Sequence, residues 1–217
     1  MFDLNNISVA YSDTPVLVDI SLNIREGEKI VIIGTSGAGK STLLGKLYEM
    51  QQDRAAFIHQ DYALVPQLSA FHNVCIGRLD RHSTAYNLFN LIKPRKAELA
   101  SVTPILESLG MPEKTFERVS SLSGGQQQRV AVARAVYREA DVLLGDEPVS
   151  SIDPHQAGAV LNFLKQRSKT LILAMHDVQL ALEHFDRIVG LRLGRIIFDL
   201  PSVEVNDKIL TDLYRPC

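Results

Sequence analysis

The feature that most constrains this chain is a glycine-rich stretch, Gly34-Thr35-Ser36-Gly37-Ala38-Gly39-Lys40-Ser41-Thr42. It fits the pattern G-x-x-x-x-G-K-[ST] and stands between a β-branched run, residues 29–33, and a segment with leucines at helical spacing. Glycines let a backbone approach an anion, and successive N–H groups at the positive end of the following helix then surround it. We therefore predict a strand–loop–helix unit that cradles the phosphates of a nucleoside triphosphate.

Two side chains of this stretch have specific expected roles. The Lys40 ammonium would reach the β- and γ-phosphates, and the Ser41 hydroxyl would ligate Mg²⁺. The sequence contains no N-K-x-D stretch of the kind that selects guanine. ATP and Mg²⁺ are therefore the expected ligands.

Composition excludes several classes of protein. The net charge is −2, with 23 basic and 25 acidic residues, which favours neither DNA nor RNA as a partner. Two distant cysteines, Cys75 and Cys217, form neither a metal pattern nor a disulfide framework, so a reducing cytosol is expected. No apolar run approaches about 18 residues, and the N-terminus does not resemble a signal peptide. Any membrane-spanning part must belong to another chain.

The periodicity predicts an α/β fold. Residues 1–28 alternate as an antiparallel pair, with a turn over Tyr11-Ser12-Asp13-Thr14-Pro15. Three buried strands are then predicted, at residues 29–33, 142–145 and 170–175, together with a short strand at residues 55–59. Helices are predicted at residues 41–50, 69–79, 96–109, 127–140 and 155–166, and Ser123 is expected to act as an N-cap. A hairpin about Leu193-Gly194 and a short helix within 202–214 complete the chain. The alternation of buried strands and helices indicates a parallel sheet with right-handed crossovers.

Four polar features follow predicted strands: Gly34, Gln60, Asp146 and His176. In an open parallel sheet, ligands bind at the carboxyl ends of the strands. We therefore expect these residues to collect at one edge of the sheet, around the phosphates.

The adjacent acids Asp146 and Glu147 are expected to do different jobs. Neighbours on a strand point to opposite faces, so Asp146 would hold Mg²⁺ while Glu147 polarises the attacking water. A solvated acidic turn is the alternative.

Three other residues allow two interpretations each. His176 fits either a histidine that caps the core or a hydrogen-bond donor to the γ-phosphate. Gln60 fits either an inert exposed amide or a ligand of Mg²⁺. Tyr11 fits either a strand end or a platform for a nucleotide base.

Together these residues resemble the nucleotide-binding subunit of ABC transporters, over essentially the whole chain and in the family's order. Residues 34–41 match Walker A, Gln60 the Q-loop, and His176 the switch histidine. Residues 143–148 match Walker B with its catalytic glutamate, and Ser150-Ser151-Ile152-Asp153 match the D-loop. The most specific match is to the signature motif, Leu122-Ser123-Gly124-Gly125-Gln126.

The resemblance implies a single domain with a P-loop NTPase core of the RecA-like type. Its parts would be an N-terminal antiparallel β subdomain (1–28), the ATPase core (29–60 and 136–217) and an inserted helical subdomain (61–135). Glu147, His176 and Gln60 would be catalytic; Ser41, Gln60 and Asp146 would hold the metal. Tyr11 would stack on the adenine.

The family also implies partners. Two subunits would pair head to tail on binding ATP, so that Ser123, Gly124, Gly125 and Gln126 of one complete the site of the other, beside the D-loop residues Ser151 and Asp153. The dimer would drive transmembrane permease subunits at the cytoplasmic face of the inner membrane, where the protein is peripheral. A solute-binding protein would be an indirect partner.

The stretch Asn73-Val74-Cys75-Ile76-Gly77-Arg78-Leu79, followed by an aromatic helical pattern at residues 88–92, resembles the phosphonate-importer branch. An exporter or lipoprotein-release ATPase is an alternative, as is a soluble ABC ATPase acting on nucleic acid.

The sequence departs from the family's pattern in two places. About 20 positions separate Lys40 from Gln60, which predicts a trimmed β subdomain and leaves the packing around the adenine open. The sequence also stops at Cys217 without the regulatory domain of some importers.

Overall fold

The computed structural model describes residues 1–12 and 14–215, so Asp13 of the predicted first turn and Cys217 lie outside the described residues. The strands are β1 (Phe2–Tyr11), β2 (Thr14–Ile24), β3 (Lys29–Ile33), β4 (Ala55–Ile58), β5 (Val142–Asp146), β6 (Thr170–Met175), β7 (Arg187–Arg192) and β8 (Arg195–Pro201). The α-helices are α1 (Lys40–Met50), α2 (Ala70–Cys75), α3 (Thr84–Ile92), α4 (Lys96–Ser108), α5 (Gly124–Tyr137), α6 (Pro154–Arg167), α7 (Val178–His184) and α8 (Asp207–Tyr214).

The strands form two sheets. β1 and β2 pair antiparallel, and the other six strands form one sheet in the order β4-β5-β6-β3-β7-β8. The first five strands of that sheet are mutually parallel, and only β8 runs antiparallel. The glycine-rich loop therefore leaves the middle of the sheet, because β3 lies between β6 and β7. The predicted α/β fold with a parallel sheet is confirmed.

The six-stranded sheet separates two hydrophobic layers, because neighbouring residues of a strand point to opposite faces. Val31 and Ile33 of β3 pack into a layer shared with α2, α4, α5 and α6. Ile30 and Ile32 pack into the other layer, with β1, β2 and α1. Both faces of the central strands are thus apolar, as expected for buried parallel strands. The helical residues 70–137 share the first layer with the sheet, and α5 is continuous across the predicted subdomain boundary at 135/136.

The predicted hairpin is confirmed. β7 and β8 pair through Arg192 and Arg195, with Leu193 and Gly194 between them. These two residues have φ of 48° and 73°, the left-handed pair that a two-residue type I′ turn requires. The predicted strands and the short C-terminal helix are also present, although β4 ends at Ile58 rather than His59.

Two helix predictions need correction. The helix predicted over 69–79 ends at Cys75 and continues as a 3₁₀ segment, Ile76–Arg81, with a non-helical Arg78. A β-carbon on Gly77 would lie 2.5 Å from the Arg134 carbonyl oxygen, so contact with α5 fixes this segment. The helix predicted over 127–140 runs instead over Gly124–Tyr137, because it begins directly after the Ser123 cap. It ends before Glu139, whose φ is 50°.

The region between Lys40 and Gln60 is as short in structure as in sequence. Its residues form α1, one 3₁₀ turn (Gln52–Arg54) and β4, and they add nothing to the β1–β2 sheet. The antiparallel sheet therefore has two strands over the residues that the structure describes. Within the same residues, the helices are all too short or too polar to cross a bilayer.

Candidate nucleotide-binding and catalytic site

The glycine-rich loop connects the end of β3 to α1, as predicted. Gly39 caps α1 with a φ of 102°, a conformation that favours glycine. The first turn of α1 carries no acidic residue, so its positive end is free to face an anion. Lys40 is 6% exposed, and its Nζ donates to the carbonyl oxygens of Gly34 (2.8 Å) and Thr35 (3.0 Å). The carbonyl oxygens of the loop thus bind the Lys40 ammonium within the loop that is expected to cradle phosphate.

One cavity of about 260 Å³ lies over this loop. Its walls include three residues predicted from other strand ends, Gln60, Glu147 and His176, together with Val16 of β2. The loop contributes the rest of the lining, Ser36, Gly37, Ala38, Gly39, Lys40, Ser41 and Thr42. Of the four residues predicted to converge, Gln60 and His176 line this cavity, Asp146 lines a neighbouring groove with Gln60, and Gly34 follows β3 at the start of the loop.

The predicted metal ligands share a neighbouring groove. Ser41, Gln60 and Asp146 all line it. Asp146 is 6% exposed, and its Oδ1 atom has no hydrogen-bond partner among the described residues. Hydroxyl, amide and carboxylate oxygens are hard ligands of the kind Mg²⁺ prefers, and a buried carboxylate oxygen without a partner is costly unless a cation or donor meets it. The residues present therefore fit Mg²⁺. Among the residues that the structure describes, no three or more His, Cys, Asp or Glu side chains are clustered so that they alone could hold a metal ion.

The reason that Asp146 and Glu147 face different ways differs from the prediction. β5 ends at Asp146, and Glu147 has a φ of 54°, so strand alternation does not apply to it. The Glu147 N–H donates to the Ala174 carbonyl oxygen at 2.9 Å, which ties the turn to β6. The two acids still have separate surroundings, because Asp146 lines the groove beside Ser41 while Glu147 lines the cavity over the loop.

Glu147 and His176 meet directly. The His176 Nε2 atom lies 2.5 Å from Oε1 of Glu147. His176 follows β6 and Glu147 follows β5, so the pairing of these two strands brings the imidazole and the carboxylate together. The two acids also act on Lys40. Burial lowers the pKa of the Lys40 ammonium, and the charges of Glu147 and Asp146 oppose that effect.

The predicted signature residues lie elsewhere on this chain. Ser123 caps α5 in a capping box: its Oγ accepts from the Gln126 N–H (3.3 Å), and Gln126 Oε1 accepts from the Ser123 N–H (2.9 Å). None of the residues 123–126 lines the cavity over the glycine-rich loop. A β-carbon on Gly125 would lie 2.6 Å from the Ser151 carbonyl oxygen, so this glycine permits close packing against residues 150–153. In that segment, Asp153 caps α6 through the His155 N–H (2.9 Å).

Tyr11 is not brought to the phosphate cavity. It ends β1, pairs with Thr14 and is 61% exposed. Val16, a few residues further on, is the part of the β1–β2 sheet that lines the cavity. The exposed ring suits a stacking platform, but its role in binding adenine stays a prediction.

Sequence reasoning missed a set of hydrogen-bonded side chains behind the site, of which Gln128 is buried and Arg134 and Tyr62 are partly buried. Gln128 is 1% exposed and bonds to the turn that carries Glu147. The Arg134 guanidinium donates to the carbonyl oxygens of Tyr62 (2.7 Å) and Ala63 (2.5 Å), which follow Gln60 and have φ of 64° and 45°. The Tyr62 hydroxyl donates to Ser151 Oγ at 2.7 Å. One signal was available: Gln128 stands at helical spacing from the buried Ala131 and Ala135.

A strand–loop–helix unit at the carboxyl edge of a parallel sheet, with a lysine, a glutamate and a histidine around one cavity and an aspartate in the adjoining groove, defines a P-loop nucleoside triphosphatase. The sequence model of the ABC transporter family matches residues 17–150. The chain therefore belongs to the ABC transporter family, and it is an ATPase of that family. The resemblance found in the motifs is confirmed.

Individual proteins give the same assignment. The chain is 38% identical to the "Phosphonates import ATP-binding protein PhnC" of Anaeromyxobacter dehalogenans, over 94% of this chain and 46% of that relative. It is 36% identical to "Phosphonates import ATP-binding protein PhnC 3" of Halalkalibacterium halodurans, over 99% of this chain and 94% of the relative. That alignment runs over 244 positions, more than the 217 residues of this chain, so the relative carries residues with no counterpart here.

The fold agrees with a solved cassette. The dimeric structure of MJ0796, a bacterial ABC transporter cassette, superposes with a TM-score of 0.80 at 24% identity, over 93% of this chain and 99% of that chain. At this identity the likeness concerns the fold. It confirms the P-loop NTPase core with an antiparallel sheet and inserted helices.

Proposed function

We propose that this chain hydrolyses ATP to power a membrane importer of phosphonates or related organophosphorus or oxyanion compounds. The observation that carries the proposal is an alignment of nearly the whole chain, at 36% identity, with a relative named as a phosphonates import ATP-binding protein. The stretch 73–79, with its N-V-x-x-G-R-L pattern, supports the same branch.

In the proposed reaction, the loop N–H groups of residues 36–42 and the Lys40 ammonium hold the phosphates of ATP. Lys40 would exchange its bonds to the Gly34 and Thr35 carbonyl oxygens for bonds to phosphate oxygens, so the loop is already shaped for the anion. Ser41, Asp146 and Gln60 would hold Mg²⁺, which supplies positive charge to the phosphate oxygens.

Glu147 and His176 act on the attacking water. Glu147 accepts a hydrogen bond from the water and orients it toward the γ-phosphorus. His176, which contacts the Glu147 carboxylate at 2.5 Å, holds that carboxylate in the cavity and is placed to donate toward the γ-phosphate. Gln60 lines both the cavity over the loop and the groove with Ser41 and Asp146, so its amide would contact both the nucleotide and Mg²⁺.

The complete site requires a second copy of the chain. The N-terminus of α5 presents Ser123 and the glycines at 124 and 125, an arrangement suited to an anion. These residues do not line the phosphate cavity of their own chain, which supports contact with the γ-phosphate of the partner. A closed dimer would hold two ATP molecules, and its opening after hydrolysis would move permease subunits at the cytoplasmic face of the membrane.

Mixed dimers test the head-to-tail arrangement. With Lys40→Ala in one subunit and Ser123→Arg in the other, both lesions fall on one composite site and the second site stays intact. With both changes in the same subunit, paired with an unmodified partner, each site carries one lesion. We expect a photo-crosslinking ATP analogue to label the first dimer at one site and the second dimer at neither. Equal labelling of the two dimers would contradict the pairing.

Growth tests the substrate. Deletion of the gene should abolish growth on a phosphonate as the only phosphorus source and leave growth on inorganic phosphate unchanged. A plasmid copy should restore growth, and the Lys40→Ala copy should not. Normal growth of the deletion strain on every phosphonate tried would reject the substrate class while leaving the ATPase assignment intact.

A further inference from the structure

Gln128 is a buried amide whose hydrogen bonds all go to the turn after β5. Its Nε2 donates to the Glu147 carbonyl oxygen (2.6 Å) and to Ser150 Oγ (3.2 Å). Its Oε1 accepts from the Ser151 N–H (2.8 Å). Gln128 itself is 1% exposed, and its three bonds lie in a partly buried setting. One side chain of α5 thus holds three groups of the turn that carries Glu147, on residues 147, 150 and 151.

That turn holds Glu147 in an unfavourable conformation. A φ of 54° is uncommon for a residue with a side chain, and it persists only where the surroundings hold it. Here the N–H of Glu147 is anchored by the Ala174 carbonyl oxygen. Its carbonyl oxygen is anchored by Gln128 at 2.6 Å, with longer bonds from the Ser150 Oγ (3.1 Å) and N–H (3.3 Å). The direction of a side chain follows from its backbone angles. The direction of the Glu147 carboxylate, toward the phosphate cavity and His176, therefore depends on both anchors.

The two neighbouring glutamines, Gln126 and Gln127, bond to residues at the start of α5 rather than to the turn after β5. Gln126 closes the capping box with Ser123, and Gln127 Nε2 donates to the Leu122 carbonyl oxygen (2.9 Å). Of these three consecutive glutamines, Gln128 is the one that reaches the catalytic turn.

We infer that Gln128 is a positioning residue for ATP hydrolysis: it holds the backbone of Glu147 in the left-handed conformation that points the carboxylate at the attacking water. The inference rests on the role proposed above for Glu147. The first residues of α5 are proposed to meet the partner's nucleotide. Through Gln128, the same helix would also position the catalytic glutamate of its own chain.

Two substitutions remove this hold. Gln128→Glu keeps the shape and the acceptor for the Ser151 N–H but cannot donate to the Glu147 carbonyl oxygen. Gln128→Met keeps the approximate volume and loses all three hydrogen bonds. We expect each to lower kcat at least about tenfold, while the KM for ATP and the affinity for a non-hydrolysable analogue stay within about twofold.

A matched control separates positioning from general destabilisation. Asn73 is a fully buried amide whose Nδ2 donates to the carbonyl oxygens of Val65 (3.0 Å) and Ser69 (3.1 Å), away from the site. Asn73→Asp should lower the thermal midpoint and leave the kcat of the folded protein unchanged. All variants are assayed below the melting transition of the least stable one.

The decisive comparison adds Glu147→Gln. If Gln128 acts through Glu147, Gln128→Glu should not lower the residual rate of the Glu147→Gln protein further, whereas an independent structural defect would multiply with it. Folded Gln128 variants with a wild-type kcat, beside an inactive Glu147→Gln, would overturn this inference alone. A fully active Glu147→Gln protein would instead overturn the role proposed for Glu147.

Discussion

The Nε2 atom of His176 lies 2.5 Å from Oε1 of Glu147, so the imidazole and the carboxylate form one unit. The side chain of Glu147 is 14% exposed and that of His176 is 45% exposed, so the acid is the more buried member of the pair. Neighbouring strands carry the two residues, and a shift of β5 against β6 would separate them. The distance between the two side chains therefore depends on the alignment of β5 with β6.

The first prediction concerns the acid. Glu147→Gln should lower the rate of ATP hydrolysis about 10²–10⁴-fold, because an amide cannot accept the proton of the attacking water. ATP binding should persist, since Lys40 and the loop are untouched. Size-exclusion chromatography with ATP should then show accumulation of a dimer. A variant that hydrolyses ATP at the normal rate would remove Glu147 from its proposed role.

The second prediction concerns its partner. His176→Ala should lower kcat, and the double variant with Glu147→Gln should be no slower than the slower of the two single variants, because residues that act as a unit are not additive. The control is His155→Ala, since His155 lies in the first turn of α6 and its contact with Asp153 uses only its backbone N–H. Multiplicative losses in the double variant would mean that the two residues act separately.

The third prediction concerns Asp146. Its buried Oδ1 has no partner among the described residues, so the carboxylate destabilises the protein when no cation is bound. Asp146→Asn should raise the melting temperature of the nucleotide-free protein by about 2–4 °C, which corresponds to about 1 kcal/mol for a chain of this size. The same variant should need more Mg²⁺ for half-maximal hydrolysis. An unchanged Mg²⁺ requirement would argue against a metal at this position.

The fourth prediction concerns Cys75. Burial, with a smaller effect of the Glu98 charge, raises the pKa of the Cys75 thiol to about 12. At pH 8 the thiolate fraction is then roughly 10⁻⁴, so iodoacetamide should label Cys75 roughly a thousandfold more slowly in the folded protein than in urea. Peptide mapping by mass spectrometry distinguishes Cys75 from Cys217. Rapid labelling of native Cys75 at pH 8 would contradict the raised pKa of its thiol.

The same shift has a consequence for stability. The folded pKa lies above the unfolded value, so the folded state holds the thiol proton more tightly. The contribution of Cys75 to the free energy of unfolding is complete below the unfolded pKa and is lost as the pH rises toward 12. Cys75→Ala should flatten the alkaline part of a stability curve measured in urea.

Much of the fold could be predicted from local sequence. Runs such as residues 29–33 and 170–175 are apolar on both faces, which few structures other than a central parallel strand accommodate. The helix ends were less predictable, because tertiary contacts set them. The helix over 69–79 is interrupted where Gly77 meets the Arg134 carbonyl, and no local signal in 69–79 reports that contact.

The residues around the phosphate cavity were largely predictable because the glycine-rich loop, Gln60, Glu147 and His176 all come just after strands of the parallel sheet. Residues that act from behind were not. Gln128 stands in a run of three glutamines, which indicates a polar helix start, and only the packing of α5 against residues 147–151 separates it from its neighbours. Tyr11 depends on how the short β1–β2 sheet sits beside the loop, which its strand pattern does not specify.

The last prediction separates the two roles of Ser123. The serine caps α5, and it is proposed to meet the γ-phosphate held by the partner. Aspartate is as good an N-cap as serine, whereas alanine costs about 1 kcal/mol at this position. Ser123→Asp should therefore keep the melting temperature but abolish ATP-dependent dimerisation, because its carboxylate repels the phosphate. Ser123→Ala should lower the melting temperature and weaken dimerisation less. Calorimetry and light scattering measure the two effects separately. If Ser123→Asp dimerises normally with ATP, Ser123 serves α5 alone and the anion site lies elsewhere.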